Sequence, residues 1–431
     1  MGRLGFAYLA FLVVAGTLNF VAFAAGEADP TFGDNGKTIT DFFGKTDVLR
    51  NMFIDGSGKI LVGGSATGAR TLDHIAIARY DRDGKPDFSF GDKGRVTANR
   101  IAGNKVIENG IEGFGLQSDG KIVACVTWYY GASTGIGLLR YKNNGSLDEA
   151  FGDDGSVLTP DESERNVPLA LTIDSDDKIV VAAAALKKNS ADSDFALFRY
   201  NADGSADPTF GIDGKISTKI TDGTNVPRAV KIDKAGKIVV GGFSGKNKFI
   251  VVRYHADGVL DISFGEAGIS TITFNKDGTD TLNALTIQSD GKIMVGGDVQ
   301  VGSMGGLRMI DFGLARLTRH GRLDTSFNKT GKVITHFVQP AASSLWALTL
   351  DASEKIIAVG DASIVKGLAI ARYNVDGSLD KSFGEQGKLV TPFAHTSHWE
   401  AVSLQEDGKI VAGGYAFNGK HYDIALARYL N

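Results

Sequence analysis

From about residue 25 onward the chain is written in short apolar runs separated by polar turns. Ala284-Leu-Thr-Ile-Gln-Ser-Asp290 gives way to Lys292-Ile-Met-Val-Gly-Gly297, with Asp-Gly between them. Runs this short, β-branched and broken by Asp-Gly or its equivalents, predict strands joined by hairpin turns. A third run ends on arginine, as in Phe195-Ala-Leu-Phe-Arg-Tyr200, and a second turn follows, Asn201-Ala-Asp-Gly204. A fourth, as in Gly331-Lys-Val-Ile-Thr-His-Phe337, follows a bend that usually reads Phe-Gly-x-x-Gly. No segment carries a persuasive amphipathic helical pattern.

This four-run unit recurs. Phe32, Phe90, Phe151, Phe210, Phe264, Phe327 and Phe383 each stand three residues after an aspartate, and each is followed four residues later by glycine. A lysine opens one run in every unit (Lys59, Lys121, Lys178, Lys237, Lys292, Lys355, Lys409). An arginine closes another (Arg79, Arg140, Arg199, Arg253, Arg316, Arg372, Arg428). Seven units of four short strands predict an all-β fold: a seven-bladed β-propeller with four-stranded blades, spanning residues 25–431 as one domain.

The units are permuted relative to the blades. The chain opens with a lone fourth strand, Gly36-Lys-Thr-Ile-Thr40, and closes with a lone first-to-third set from Ala401 to Tyr429. The N-terminal strand is therefore expected to complete the last blade and leave no open edge. Six repeat arginines are followed eight residues later by the repeat aspartate, from Arg79/Asp87 to Arg372/Asp380. Arg428 has no such residue downstream. Its expected partner is Asp29, from the other end of the chain.

The recurring motifs Leu-Asp-x-Ser-Phe-Gly-x-x-Gly-Lys, Gln-x-Asp-Gly-Lys-Ile-Val and Ala-Leu-Ala-Arg-Tyr-Asn-x-Asp-Gly-Ser resemble those of the delta-60 repeat family. The resemblance covers the chain from about Asp29 to Asn431. It implies an exported bacterial protein of propeller fold, and it brings no catalytic residues with it. Asn328, Leu317 and Glu354 depart from the repeat at single positions, which touches local turn geometry only.

Composition agrees. Glycine supplies 56 of 431 residues, roughly twice the usual ~7% share, while proline is too scarce for a collagen-like or disordered chain. Seven sets of turns account for the surplus. Residues 4–23 are almost wholly apolar after Arg3, and Ala22-Phe23-Ala24 has the small-x-small pattern of a signal-peptidase site. A signal peptide at residues 1–24 and a secreted or periplasmic protein are the expectation, with no membrane association after cleavage. A single cysteine, Cys125, excludes an intrachain disulfide. Net charge of −4 without a basic block gives no electrostatic reason for a nucleic-acid partner. A monomer is expected.

Features present in every unit are structural by economy, because a ring has seven equivalent packing problems. Chemistry belongs where the units differ. The loops between second and third strands and the crossings between blades share one variable face. It is expected to carry Trp128, Tyr129, Tyr130, Trp346, Trp399, Glu400 and Tyr422, with lysines such as Lys187 and Lys248. Alignment of the first strands also puts Arg50, Glu112, Leu169, Arg228, Asn283, Trp346 and Glu400 at one position, expected to ring the channel mouth. Aromatic and mixed polar side chains there suit a protein or carbohydrate ligand. The leading expectation is an exported binding module without cofactor. The alternative is an exported propeller enzyme, a metal-assisted or lactonase-like hydrolase at the same mouth. His395, His398 and His421 are the candidate zinc ligands. The turn from Asn201 to Asp207 imitates half a calcium loop but reads as an Asx-type turn. Asp311-Phe-Gly, which imitates a kinase triplet, and Cys125 both fall within expected strands.

Overall fold

The computed structural model describes residues 25–431, apart from 69–72, 99, 102–104, 131–132, 161–163, 189, 246–247, 276–277, 338–341, 364–365 and 394–395. The leader expected at 1–24 lies outside the described residues. Seven antiparallel sheets follow one another, and the innermost strand of each packs against the innermost strands of its two neighbours. The molecule is a seven-bladed β-propeller. In the first blade, strand a is Asp47–Ile54, b is Ile60–Thr67, c is Asp73–Tyr80 and d is Arg95–Ala98, counted outward from the axis. The second blade adds a two-residue strand, Arg100–Ile101, beside its strand a.

Burial follows the layering. Middle strands are apolar on both faces, and Ser193–Tyr200 is buried at every position. Outer strands such as Lys215–Thr218 are only partly covered. The core lies between blades: Met52, Ile60, Val62 and Ala78 of the first pack with Val411, Ile424 and Leu426 of the last. Each large aliphatic side chain so buried contributes about 1.5–3 kcal/mol.

The last blade is built from both chain ends. Ser397–Leu404, Ile410–Phe417 and Tyr422–Tyr429 supply its first three strands, and Lys37–Thr40 supplies the fourth. The closing register runs from Lys37 opposite Ala427 to Thr40 opposite Ile424. The Asp29 carboxylate meets Arg428, with Oδ2 2.9 Å from Nε. Lys409 reaches the same oxygen at 3.1 Å.

The same group recurs in every blade. The repeat arginine meets the repeat aspartate at 2.7–2.9 Å, and its guanidinium lies over the repeat phenylalanine, as Arg428 does over Phe32 at 4.8 Å. In six blades it also donates to a main-chain carbonyl in the next blade's c–d turn, as Arg79 does to Asn143 and Arg428 to Arg82, while Arg372 donates to the Asn431 side-chain oxygen. One residue thus ties a buried carboxylate, an aromatic ring and the neighbouring blade together. The turn glycine is required there. Gly84 has φ +79°, and a Cβ on it would lie 2.6 Å from the Phe32 ring.

A second inter-blade link joins the tyrosine ending strand c to a threonine in the preceding blade's strand d. Thr40–Tyr80, Thr159–Tyr200, Thr218–Tyr254 and Thr335–Tyr373 lie at 2.6–2.9 Å. Leu317 replaces the tyrosine in the fifth blade, and the facing residue is Ile272 rather than threonine, both in one apolar cluster. The departure is therefore matched across the interface. Glu354, in place of the hairpin glycine, takes the positive φ of 62° itself.

Candidate functional site

The propeller axis is lined by strand a of each blade, and strand a is irregular in the same way seven times. Its pairing with strand b skips one residue: Arg50, Glu112, Leu169, Arg228, Asn283, Trp346 and Glu400. A β-bulge leaves its extra residue outside the ladder and re-aims the side chain. These seven residues are the set that alignment of the first strands selects, and all seven line one central cavity of about 470 Å³. The bulge also explains the glycines ending strand b. A Cβ on Gly64, Gly242, Gly297, Gly360 or Gly414 would stand 1.9–2.1 Å from the strand-a carbonyl oxygen that the bulge pushes toward it.

Charges at the mouth are unevenly matched. Arg50 Nη1 lies 3.0 Å from both oxygens of Glu400. Burial raises the Glu400 carboxyl above its ordinary range, and Arg50 pulls it back only in part. Arg228 forms no ion pair among the described residues. Its guanidinium faces the Phe243 ring at 5.8 Å. Burial and the Arg50 charge lower its pKa, while Glu400, Glu112 and Asp298 offset part of this. Lys231, on the same strand and lining the same cavity, is exposed to the channel, and desolvation by the surrounding strands lowers its pKa. The fourth blade thus presents two cations to the channel.

From the fifth blade to the seventh the mouth is acidic and aromatic. Asp361, on strand b of the sixth blade, accepts from Trp346 Nε1 at 3.0 Å and from the Trp399 main-chain N–H at 2.9 Å. The Asp361 Oδ2 atom also lies 3.1 Å from His398 Nδ1. Asp298 occupies the equivalent place in the fifth blade and accepts from the Leu345 N–H at 3.0 Å. Burial pushes Asp298 up to about 7, with the charge of Asp361 adding to it. Tyr415 and Tyr422 meet edge to face at 5.5 Å, with His398 5.1 Å from the Tyr415 ring. Asp298, Asp361 and Tyr415 were not singled out by the sequence reading.

Two expected surface aromatics are not at the surface. Trp128 is buried, its Nε1 donating to the Ile136 carbonyl at 3.1 Å. Trp399 is fully buried, with Nε1 on Ser397 Oγ and the ring against Phe393. Both lie on that side of their blades, but their ring faces are packed. Trp346 is partly exposed and Tyr129 is exposed. The Tyr130 side chain and His395 lie outside the described residues. His398 and His421 are held by different carboxylates, His398 by Asp361 and His421 by Asp423. In the turn from Asn201 to Asp207, Asp203 accepts from Ser205 and Asp207 is engaged by Arg199 and Lys178. That is the Asx-type arrangement.

Seven segments match the model of a domain of unknown function, the DUF5122 β-propeller: 56–90, 117–151, 175–210, 236–264, 288–327, 354–383 and 405–431. Together they make up more than half of the chain. The protein belongs to the DUF5122 β-propeller family. No curated protein matches it. Among solved structures, the DUF5122 chain is similar to the polysaccharide lyase Uly1 (11% identity, 89% of each chain, TM-score 0.48). It is also similar to an α-L-arabinofuranosidase of Fusarium graminearum solved with arabinobiose (10% identity, 91% of this chain and 97% of that one, TM-score 0.47). A third is the β-propeller domain of the Trilobed protease from Pyrococcus furiosus (8% identity, 90% and 94%, TM-score 0.44). None of these likenesses carries an activity over to the DUF5122 propeller.

Proposed function

We propose that this DUF5122 propeller is an exported binding module whose channel mouth takes a carbohydrate bearing an acidic group. The observation that carries the reading is the bulge ring. Seven blades repeat their packing residues, yet the bulged strand-a position lining the cavity holds seven side chains of mixed chemistry. Arg228, exposed to the channel and without an ion-pair partner among the described residues, is placed to receive a carboxylate through charge-assisted, bidentate hydrogen bonds. Trp346, oriented by its bond to Asp361, offers an aromatic edge or face to a sugar ring.

The apolar leader at 1–24 supports a secreted or periplasmic location, and the repeat motifs support reading the chain as a delta-60 repeat protein. We take it to act as a monomer. A thermal-shift screen with acidic and neutral oligosaccharides, run on wild type and Arg228→Ala, tests the reading. Stabilisation by the acidic members that Arg228→Ala removes supports it. Stabilisation by neither class, together with capture of a protein ligand at the mouth, replaces the carbohydrate with a protein.

A further inference from the structure

The seam where the chain ends meet carries a cluster that the channel mouth does not use. Asp41 follows the closing strand Lys37–Thr40, His421 precedes the last strand Tyr422–Tyr429, and Asp423 lies within that strand. One ligand atom from each lies within 4.8 Å of the other two. His421 Nε2 is 3.2 Å from Asp423 Oδ1 and 3.9 Å from Asp41 Oδ2. Donors that share one ion at about 2.0–2.2 Å stand some 3–4 Å apart, and the two distances that His421 makes fall in that range.

A second observation points to a ligand. Asp423 is only 4% exposed, and its Oδ1 receives no hydrogen bond. His421 Nε2 faces it at 3.2 Å as an ion-pair contact without hydrogen-bond geometry, and makes no hydrogen bond elsewhere. The other carboxylate oxygen is already oriented, accepting from Asn418 Nδ2 at 2.8 Å. Asn418 Oδ1 in turn accepts the His421 main-chain N–H at 3.1 Å, fixing the loop that presents the imidazole. Such outer contacts are what a metal site uses to aim its ligands.

Comparison between blades shows what is different at the seam. The residue five before the repeat arginine is a buried aspartate in three blades. Asp194 is met by Lys187 at 3.1 Å, and Asp311 by His336. His336 directly follows its strand d, as Asp41 follows the closing strand. In the closing blade that place holds a carboxylate instead, so two carboxylates share one imidazole. Asp47 is also buried nearby, with one oxygen accepting from the Phe42 N–H and the other without a partner. Arg95 is adjacent but donates to the Asp41 carbonyl, at 2.6 Å.

We propose that Asp41, His421 and Asp423 bind one divalent transition-metal ion, Zn²⁺ fitting the donors best, which clasps the ring at the opposite end of the seam from Arg428 and Asp29. One imidazole with two carboxylates suits zinc, whereas calcium and magnesium take all-oxygen sets. The ion joins a residue from the start of the described chain to two from its end, so binding and closure are linked.

Isothermal titration of the chelator-treated protein with Zn²⁺, Mg²⁺ and Ca²⁺ tests this, alongside melting curves. Because a change at buried Asp423 risks the fold, the variants are His421→Ala and Asp41→Asn, with His398→Ala as control. The expected result is one Zn²⁺ per chain, a higher Tm with Zn²⁺, and affinity at least tenfold weaker in both seam variants. Their metal-free Tm stays near wild type, and His398→Ala binds normally. No Zn²⁺ binding, unchanged binding in His421→Ala, loss confined to His398→Ala, or equal response to Mg²⁺ and Ca²⁺ overturns the proposal.

Discussion

Arg428 Nε stands 2.9 Å from Asp29 Oδ2, so the last repeat arginine is neutralised by an aspartate from the opposite end of the chain. Both groups are almost fully buried. Removing one partner of a buried pair leaves the other charge uncompensated, at a cost of about 3–5 kcal/mol. Arg428 keeps the half-exposed Asp83 at 3.2 Å, so Asp29→Ala is expected to lose an amount at the lower end of that range in denaturant unfolding. Hydrogen exchange in the variant should rise at Lys37–Thr40, the strand that the pair holds in place. Asp207→Ala in the third blade removes a similar pair and should leave that strand protected. The loss also has a pH signature. Burial alone would raise the Asp29 carboxyl, but hydrogen bonds from Thr31 and Lys409 and the charge of Arg428 hold it at about 2. A depressed carboxylate stabilises the fold above its unfolded value and ceases to as pH falls through the folded one. The difference between wild type and variant should therefore shrink from about pH 4 toward pH 2.

Asp298 has the opposite sign. Its carboxyl is pushed up to about 7 by burial, from an ordinary 3.8. The folded state holds that proton more tightly than the unfolded chain, so stability falls as pH rises from about 4 through 7. Asp298→Asn keeps an oxygen for the Leu345 N–H and removes the ionisation. Melting curves should show the variant above wild type at pH 8 and level with it at pH 4. A constant difference across that range would argue against a buried proton on Asp298.

Tyr141 lacks the threonine that its counterparts have. Its hydroxyl is buried without a partner, and the facing residue of the first blade's strand d is Ala98. Thr40, Thr159, Thr218 and Thr335 fill that place elsewhere. Ala98→Thr should gain about 0.5–1.5 kcal/mol, the net worth of one hydrogen bond. A Tyr141→Phe background should abolish the gain.

The blades were legible because the repeat aspartate, phenylalanine, lysine and arginine each appear seven times, and a coincidence does not repeat at the same spacing. Even ring closure followed from one arginine without a downstream aspartate. The channel ring was legible for the same reason, although the bulge that aims it was not. Trp128 and Trp399 misled because a tryptophan near a variable loop looks alike in sequence whether its face is bare or packed. Asp298 and Asp361 escaped notice because their strand-b position reads Ser65 and Phe243 in other blades. The seam cluster was half visible. His421 was picked, but with histidines as companions, since Asp41 becomes its neighbour only once the ring closes.

The central claim, that the bulge ring is a binding site for an acidic carbohydrate, is tested most directly by calorimetry. Soluble oligosaccharides of uronic acids and their neutral counterparts would be titrated into wild type, Arg228→Ala and Trp346→Ala. The expected result is saturable binding of an acidic member, loss of at least tenfold in affinity in each variant, and unchanged melting of both unliganded variants. Each tenfold corresponds to about 1.4 kcal/mol. Acidic ligands bound equally well by wild type and both variants would contradict it, as would binding indifferent to the acid group.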